Sequence, residues 1–102
     1  MTDWRVSFPD ELSLEGVEVL EAIGAERGKQ LAKWGDQSDR SPAEWLIILA
    51  EEFGEVAKDV YEMTLGKQTG GNEHAENYRK ELVQVAAVAA AAIEAFDKQY
   101  AS

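Results

Sequence analysis

The segment LIILAEEFGEVAKDV is apolar over most of its length, yet it contains three glutamates. On a helical wheel, Glu52 falls among the apolar side chains, Glu55 lies at the border of the apolar face, and Glu51 lies further toward the polar side. In a later, alanine-rich segment, Glu81 falls in the middle of the apolar stripe and Gln84 at its edge. Acidic side chains therefore face inward from two predicted helices.

Carboxylates that face a core are costly, because desolvation and mutual repulsion both disfavour their charged form. Two interpretations account for them. The acids are solvated at a cleft edge or form salt bridges to basic side chains, namely Arg27, Lys58 or Arg79. Alternatively, Glu52, Glu55 and Glu81 bind a divalent cation through their oxygens, which the spacing favours. Because Mg²⁺ keeps waters and is often shared with substrate phosphates, such a pocket predicts phosphoryl chemistry.

Composition narrows the choice of metal and partner. The chain has no cysteine and one histidine, His74, which excludes thiolate sites and zinc sites built from several imidazoles, and leaves Mg²⁺ or Mn²⁺. Its 20 acidic and 10 basic residues give a formal charge of −10, which argues against binding to nucleic acid. No signal peptide or membrane span is recognisable, so we expect a cytoplasmic protein that does not bind membranes.

Helix signals predict an all-α fold. With 102 residues and 45% hydrophobic composition, the chain predicts one domain, 1–102, with an N-terminal arm over 1–12. Ser13 is a candidate N-cap, and Gly35 ends the periodic segment after it, so the first helix is predicted at 14–34. Ser41 and Glu44 form a capping box around Pro42, at the start of a helix predicted at 42–65 and ended by Gly66. The third helix is predicted at 73–100.

The apolar stripes predict which side chains form the core. On the second helix they are Trp45, Leu49, Phe53, Val56, Val60 and Met63. On the third helix they are Tyr78, Val85, Val88, Ala92 and Phe96. A short loop favours antiparallel packing of these helices, which would bring Glu52 and Glu55 opposite Glu81.

Taken together, these residues resemble the MazG-like branch of the all-α nucleoside triphosphate pyrophosphatases. The family signature is E-E-x-x-E on one helix and E-x-x-D on the next. The sequence EEFGE matches the first part in full, and ELVQ matches the second with Gln84 in place of aspartate. The separation of Glu55 from Glu81, the upstream ERGKQLAKWG and the alanine-rich ELVQVAAVAAAAIE also resemble the family, over about residues 20 to 95.

The resemblance implies a Mg²⁺-dependent hydrolase that converts a nucleoside or deoxynucleoside triphosphate to the monophosphate and pyrophosphate. Nucleotide-pool house-cleaning is the role that it suggests. Glu52, Glu55 and Glu81 would be metal ligands, and Glu51 would support them, or orient or deprotonate the attacking water. Gln84 can coordinate a cation through its amide oxygen but adds no charge, so metal affinity should be lower than with aspartate.

Contacts with the base and phosphates are harder to assign. Trp34 and Trp45 flank the first loop and could stack on a base, although tryptophan at helical spacing is more often part of a core. Gln30 and Lys33 could reach the base or the phosphates, and Arg79 the phosphates. The alternative for these three is an ordinary solvated helix face.

The sequence also predicts an oligomer and leaves two alternative functions. Three long helices make a thin bundle, and the alanine-rich third helix permits close approach by more than one neighbour, so we expect a homodimer or homotetramer. The family resemblance implies the same. The alternative functions are a non-catalytic acidic binding protein whose metal site is degenerate at Gln84, and a hydrolase of phosphoribosyl-ATP.

Overall fold

Three helices make up the structure. The computed structural model describes residues 11–64 and 71–100, which are all-α: α1 is Leu14–Trp34, α2 is Pro42–Thr64 and α3 is Gly71–Tyr100. The predicted fold class is confirmed, and α3 begins two residues before its predicted start. Most of the predicted arm, and Leu65 and Gly66 at the predicted end of α2, lie outside the described residues. No helix in the described ranges combines the length and apolar character needed to cross a bilayer.

Local capping determines where the first two helices begin and where α1 ends. The Ser13 hydroxyl accepts a hydrogen bond from the Gly16 N–H at 3.0 Å. Gly35 follows α1 with φ of 73°, a left-handed conformation that favours glycine. At α2, the Glu44 N–H donates to the Ser41 hydroxyl at 3.2 Å, and the Ser41 N–H donates to the Glu44 carboxylate at 3.0 Å. These caps confirm the predicted helix signals.

The longest helix, α3, is the one against which both other helices pack. It packs against both α2 and α1, whereas α1 and α2 contact each other little. Trp45 near the start of α2 packs on Ala91 and Ala95 near the end of α3, whereas Asp59 near the end of α2 lies close to Glu81. The two helices are therefore antiparallel, as predicted, and the small alanine side chains let Trp45 approach the α3 backbone.

The predicted core faces were only partly right. Trp45, Val56 and Val88 are buried, but Phe53 is 66% exposed and Phe96 is 57% exposed. Val60 and Met63 of the predicted face are also exposed. The physical reason is that α2 packs mainly against α3, and one neighbouring helix covers only part of a wide apolar arc.

Candidate functional site

Antiparallel packing brings the predicted acidic residues of α2 and α3 together. Glu52 is half-buried, and burial raises its pKa; the charges of Glu55, Glu51 and Glu26 raise the pKa further. The Glu26 contribution comes from α1, so all three helices supply an acid to this cluster. The packing thus places neighbouring carboxylates where they disfavour ionisation of Glu52.

Glu81 is the α3 member of the acidic cluster. Burial raises its pKa, and the charges of Glu52, Asp59 and Glu55 raise it further, whereas Lys80 lowers it. Glu81 thus lies in the field of acids from three successive turns of α2. This is the arrangement that the i, i+3 spacing on α2 and the antiparallel packing predicted.

Glu52, Glu55 and Glu81 form no salt bridge with a described basic side chain, although the charge of Lys80 acts on Glu81. In the described part of the chain, no ion pair involves Glu52, Glu55 or Glu81. Arg27, one of the bases considered from sequence, instead donates to Glu94 on α3 through Nε at 2.8 Å and a second guanidinium nitrogen at 3.2 Å. Salt bridges therefore do not compensate the cluster within the described residues.

The chemistry of the cluster fits a hard divalent cation. Its donors are carboxylate oxygens with the Gln84 amide oxygen nearby, which are the ligand types that Mg²⁺ and Mn²⁺ prefer. Among the described residues, no three acidic or histidine side chains are already placed to hold a metal ion. Binding would therefore require the glutamates to rotate about their side-chain bonds and converge.

A cavity of about 330 Å³ lies beside the acidic cluster, between α1 and α2 with α3 as its floor. Its walls include Glu26, Gln30, Trp34, Trp45, Glu52 and Gln84. Gln30 is the one polar residue of α1 that is buried, with 8% of its surface exposed. The Nε1 atom of Trp45 is also buried and has no hydrogen-bond partner. The cavity thus combines aromatic surface with polar side chains, those of Glu26, Gln30, Glu52 and Gln84.

No family model, curated protein or solved structure matches this chain. The likeness to MazG-like enzymes therefore stays a prediction that rests on the motif residues.

The other residues predicted to contact substrate lie in different places. Trp34 lines the cavity with Gln30, whereas Lys33 does not; its Nζ lies 4.8 Å from the centre of the Trp34 ring. Arg79 lines a separate groove between α1 and α3, together with Lys29. The structure thus brings together only two of the four predicted substrate contacts.

Sequence reasoning missed Glu26 as a member of this site. The signal was present: Glu26 lies four residues before Gln30, so the two share one face of α1. The apolar residues that follow it on α1, Leu31 and Trp34, are 44% and 54% exposed, so apolar periodicity does not mark the buried face of this helix.

Proposed function

We propose that the protein is a Mg²⁺-dependent pyrophosphohydrolase that cleaves a nucleoside or deoxynucleoside triphosphate between its α and β phosphates. The main support is the set of facing carboxylates, Glu52, Glu55 and Glu81, which form no salt bridge with a described basic side chain. The adjoining cavity supports a base-bearing substrate, because Trp34 offers an aromatic face and Gln30 an amide that can pair with a base edge.

The reaction needs no protein nucleophile. A bound divalent cation withdraws charge from the phosphoryl oxygens and lowers the pKa of a bound water. Glu52, Glu55 and Glu81 would hold the cation, and Glu51, on the exposed side of α2, would orient the water or accept its proton. The water oxygen bonds to the α-phosphorus, the bond to the bridging oxygen breaks, and pyrophosphate leaves with that oxygen.

A second candidate is a non-catalytic acidic binding protein. Gln84 favours it, because a neutral amide holds a cation less strongly than the aspartate of the family signature. The absence of a preformed metal-holding group among the described residues favours it as well.

Pyrophosphate release separates the two candidates. The assay uses a panel of nucleotides, including phosphoribosyl-ATP, with Mg²⁺ or Mn²⁺ and with wild type, Glu52→Gln and Glu81→Gln. We expect turnover by the wild type and a loss of at least about 100-fold in each variant, because each removes a charged ligand. The matched control is Glu18→Gln, which alters an exposed acid of α1 outside the cluster.

If the wild type releases no pyrophosphate from any nucleotide, the hydrolase is contradicted. If, in addition, Mg²⁺ leaves its Tm unchanged, the metal site is contradicted as well. A Tm rise with Mg²⁺ but without turnover would instead support the binding protein.

We also propose that the chain works as a homodimer or homotetramer. Among the described residues, 14 large apolar side chains are exposed, whereas the buried apolar set contains only six residues, three of them alanines. An exposed apolar surface of this kind is typical of a surface that packs against another chain.

A further inference from the structure

Glu26 occupies a position that the signature does not include. It is half-buried on α1 and lines the cavity with Glu52 of α2 and Gln84 of α3. One carboxylate and one neutral amide of the candidate metal site therefore share a cavity with an additional carboxylate from a third helix. The position of Glu26 matters because this sequence has the neutral Gln84 where the signature has a charged aspartate.

A second feature of the same cavity indicates that a ligand enters it. Gln30, one helical turn after Glu26, lines the cavity and is more than nine-tenths buried. Among the described residues its side-chain amide makes no hydrogen bond, and the amide atoms are not fully buried, so they face the open space of the cavity. A polar occupant beside Glu26 and Glu52 could bond to them.

We propose that Glu26 is a further metal ligand of this site and that it replaces from α1 the charge missing at Gln84. The proposal rests on the proposed function for the identity of the site. With Glu26, the candidate ligands include four carboxylates, as many as Glu52, Glu55 and Glu81 would supply together with an aspartate at position 84. Because Glu26 lies on α1, the E-x-x-D motif of α3 does not reveal it.

This assignment gives α1 a role beyond lining a cavity. α1 and α2 contact each other little, and α1 is tied to α3 through Arg27 and Glu94. A cation held by Glu26 and Glu52 would join α1 to α2 directly. Metal binding would thus stabilise the whole bundle, and loss of Glu26 would uncouple α1 from that stabilisation.

Binding of Mn²⁺ alone tests the proposal without any substrate. Its affinity is measured by titration calorimetry for wild type, Glu26→Gln, Gln84→Asp and the double variant, with Glu18→Gln as the control on the same helix. We expect Glu26→Gln to weaken binding at least about tenfold. Gln84→Asp alone should bind Mn²⁺ more tightly than the wild type. Added to Glu26→Gln, it should restore the lost Mn²⁺ affinity.

Thermal unfolding shows whether Glu26→Gln binds Mn²⁺ weakly only because it is less well folded. Without metal, Glu26→Gln removes repulsion from the cluster, so its Tm should equal or exceed that of the wild type, whereas the Tm rise on adding Mn²⁺ should shrink. Glu26→Asp keeps the charge and should keep most of the affinity. This variant separates the loss of charge from a change in packing.

The outcomes distinguish this proposal from the proposed function. If Glu26→Gln binds Mn²⁺ as tightly as Glu18→Gln, or if the wild type binds none, the Glu26 assignment is overturned, whatever the nucleotide assay shows. If Glu26→Gln binds weakly and Gln84→Asp restores binding, but no nucleotide is hydrolysed, the Glu26 assignment stands and the hydrolase proposal fails.

Discussion

At the residue scale, the acidic cluster opposes folding when no cation is present. The pKa values of Glu52 and Glu81 are raised by burial first and by neighbouring acids second. Ionisation of these groups therefore costs more free energy in the folded chain than in the unfolded chain. A site that favours its own neutralisation is suited to bind a cation, because the cation removes the repulsion that the fold created.

The first prediction concerns pH. Because the pKa of Glu52 and that of Glu81 lie above the ordinary value of 4.5 in the folded state, the folded chain binds more protons than the unfolded chain just above that pH. These two groups therefore make the free energy of unfolding fall as pH rises through their folded pKa values. Glu52→Gln or Glu81→Gln should flatten this fall and raise Tm at pH 7 by a few degrees without divalent cations.

Thermal unfolding in EDTA between pH 4 and pH 7 checks it, with Glu18→Gln as the control. The Tm gain should shrink at high salt, since screening weakens repulsion between partly exposed charges. Equal pH slopes for wild type and both variants would show that the two carboxylates ionise without opposing the fold.

Two exposed acids, Asp36 and Glu44, should make the free energy of unfolding change with pH in the opposite direction. Hydrogen bonds from the Ser38 backbone lower the pKa of Asp36, and those from the Ser41 backbone lower the pKa of Glu44. Their contributions are present above the unfolded pKa values and are lost as pH falls through the folded ones. Stability without metal should therefore be greatest toward the acid end of the usual range of about pH 5 to 8.

At the element scale, α1 contains a glycine that no described neighbour requires. A Cβ built on Gly28 has no atom within 4 Å, and Gly28 is exposed inside a helix. Gly28→Ala should raise the free energy of unfolding by about 1 kcal/mol, because alanine loses less backbone entropy. Urea unfolding with an unchanged m-value would be the measurement.

Gly35 provides the matched contrast at the end of the same helix. A Cβ there also has open space, but its φ of 73° is a conformation that side chains rarely adopt. Gly35→Ala should lower the free energy of unfolding by about 1 to 3 kcal/mol. If Gly28→Ala were also destabilising, the open space beside Gly28 would have to be occupied in solution.

These elements also show how far sequence reasoning reaches. Ser13, Gly35, Ser41 and Glu44 mark helix ends through contacts within a few residues, so their roles could be read locally and proved right. That Phe53 is exposed could not be predicted in the same way, because periodicity defines an apolar arc on a helix but does not show which part of it a neighbouring helix covers. The proximity of the acidic residues of α2 and α3 was predictable because only six residues, 65–70, separate those helices.

The position of α1 could not be predicted to the same degree. It depends on contacts between residues far apart in sequence, such as the Arg27 pair with Glu94 and the Gln99 amide, which donates to the carbonyl oxygens of Ser38 and Arg40 at 2.7 Å each. Nothing local in the sequence selects these partners. As a result, the place of Glu26 beside Glu52 could not be predicted, although Gln30 and Trp34 of the same helix were.

At the scale of the whole molecule, the core is small for the amount of apolar side chain available. In the described part, no large side chain is fully buried, and the central cluster consists of Trp45, Val88, Ala91 and Ala95. Exposed Leu46, Phe53 and Val60 recur at intervals of seven along α2. An apolar repeat of this period is typical of a seam between helices.

The final prediction follows from that seam. Light scattering coupled to size exclusion should give the wild type a mass of two or four times 11.3 kDa. Phe53→Asp should shift the mass to that of one chain, because a charge at the centre of an apolar contact is left unpaired. Leu14→Asp is the control, since Leu14 is 65% exposed at the start of α1, where an acid is favourable.

A wild type that elutes as a single chain at its highest soluble concentration would contradict the prediction. If Phe53→Asp becomes monomeric and also loses Mn²⁺ affinity, the neighbouring chain helps to hold α2 at the site. If it becomes monomeric with unchanged affinity, one chain forms the acidic cluster alone, as the packing of α1, α2 and α3 around Glu52 already favours.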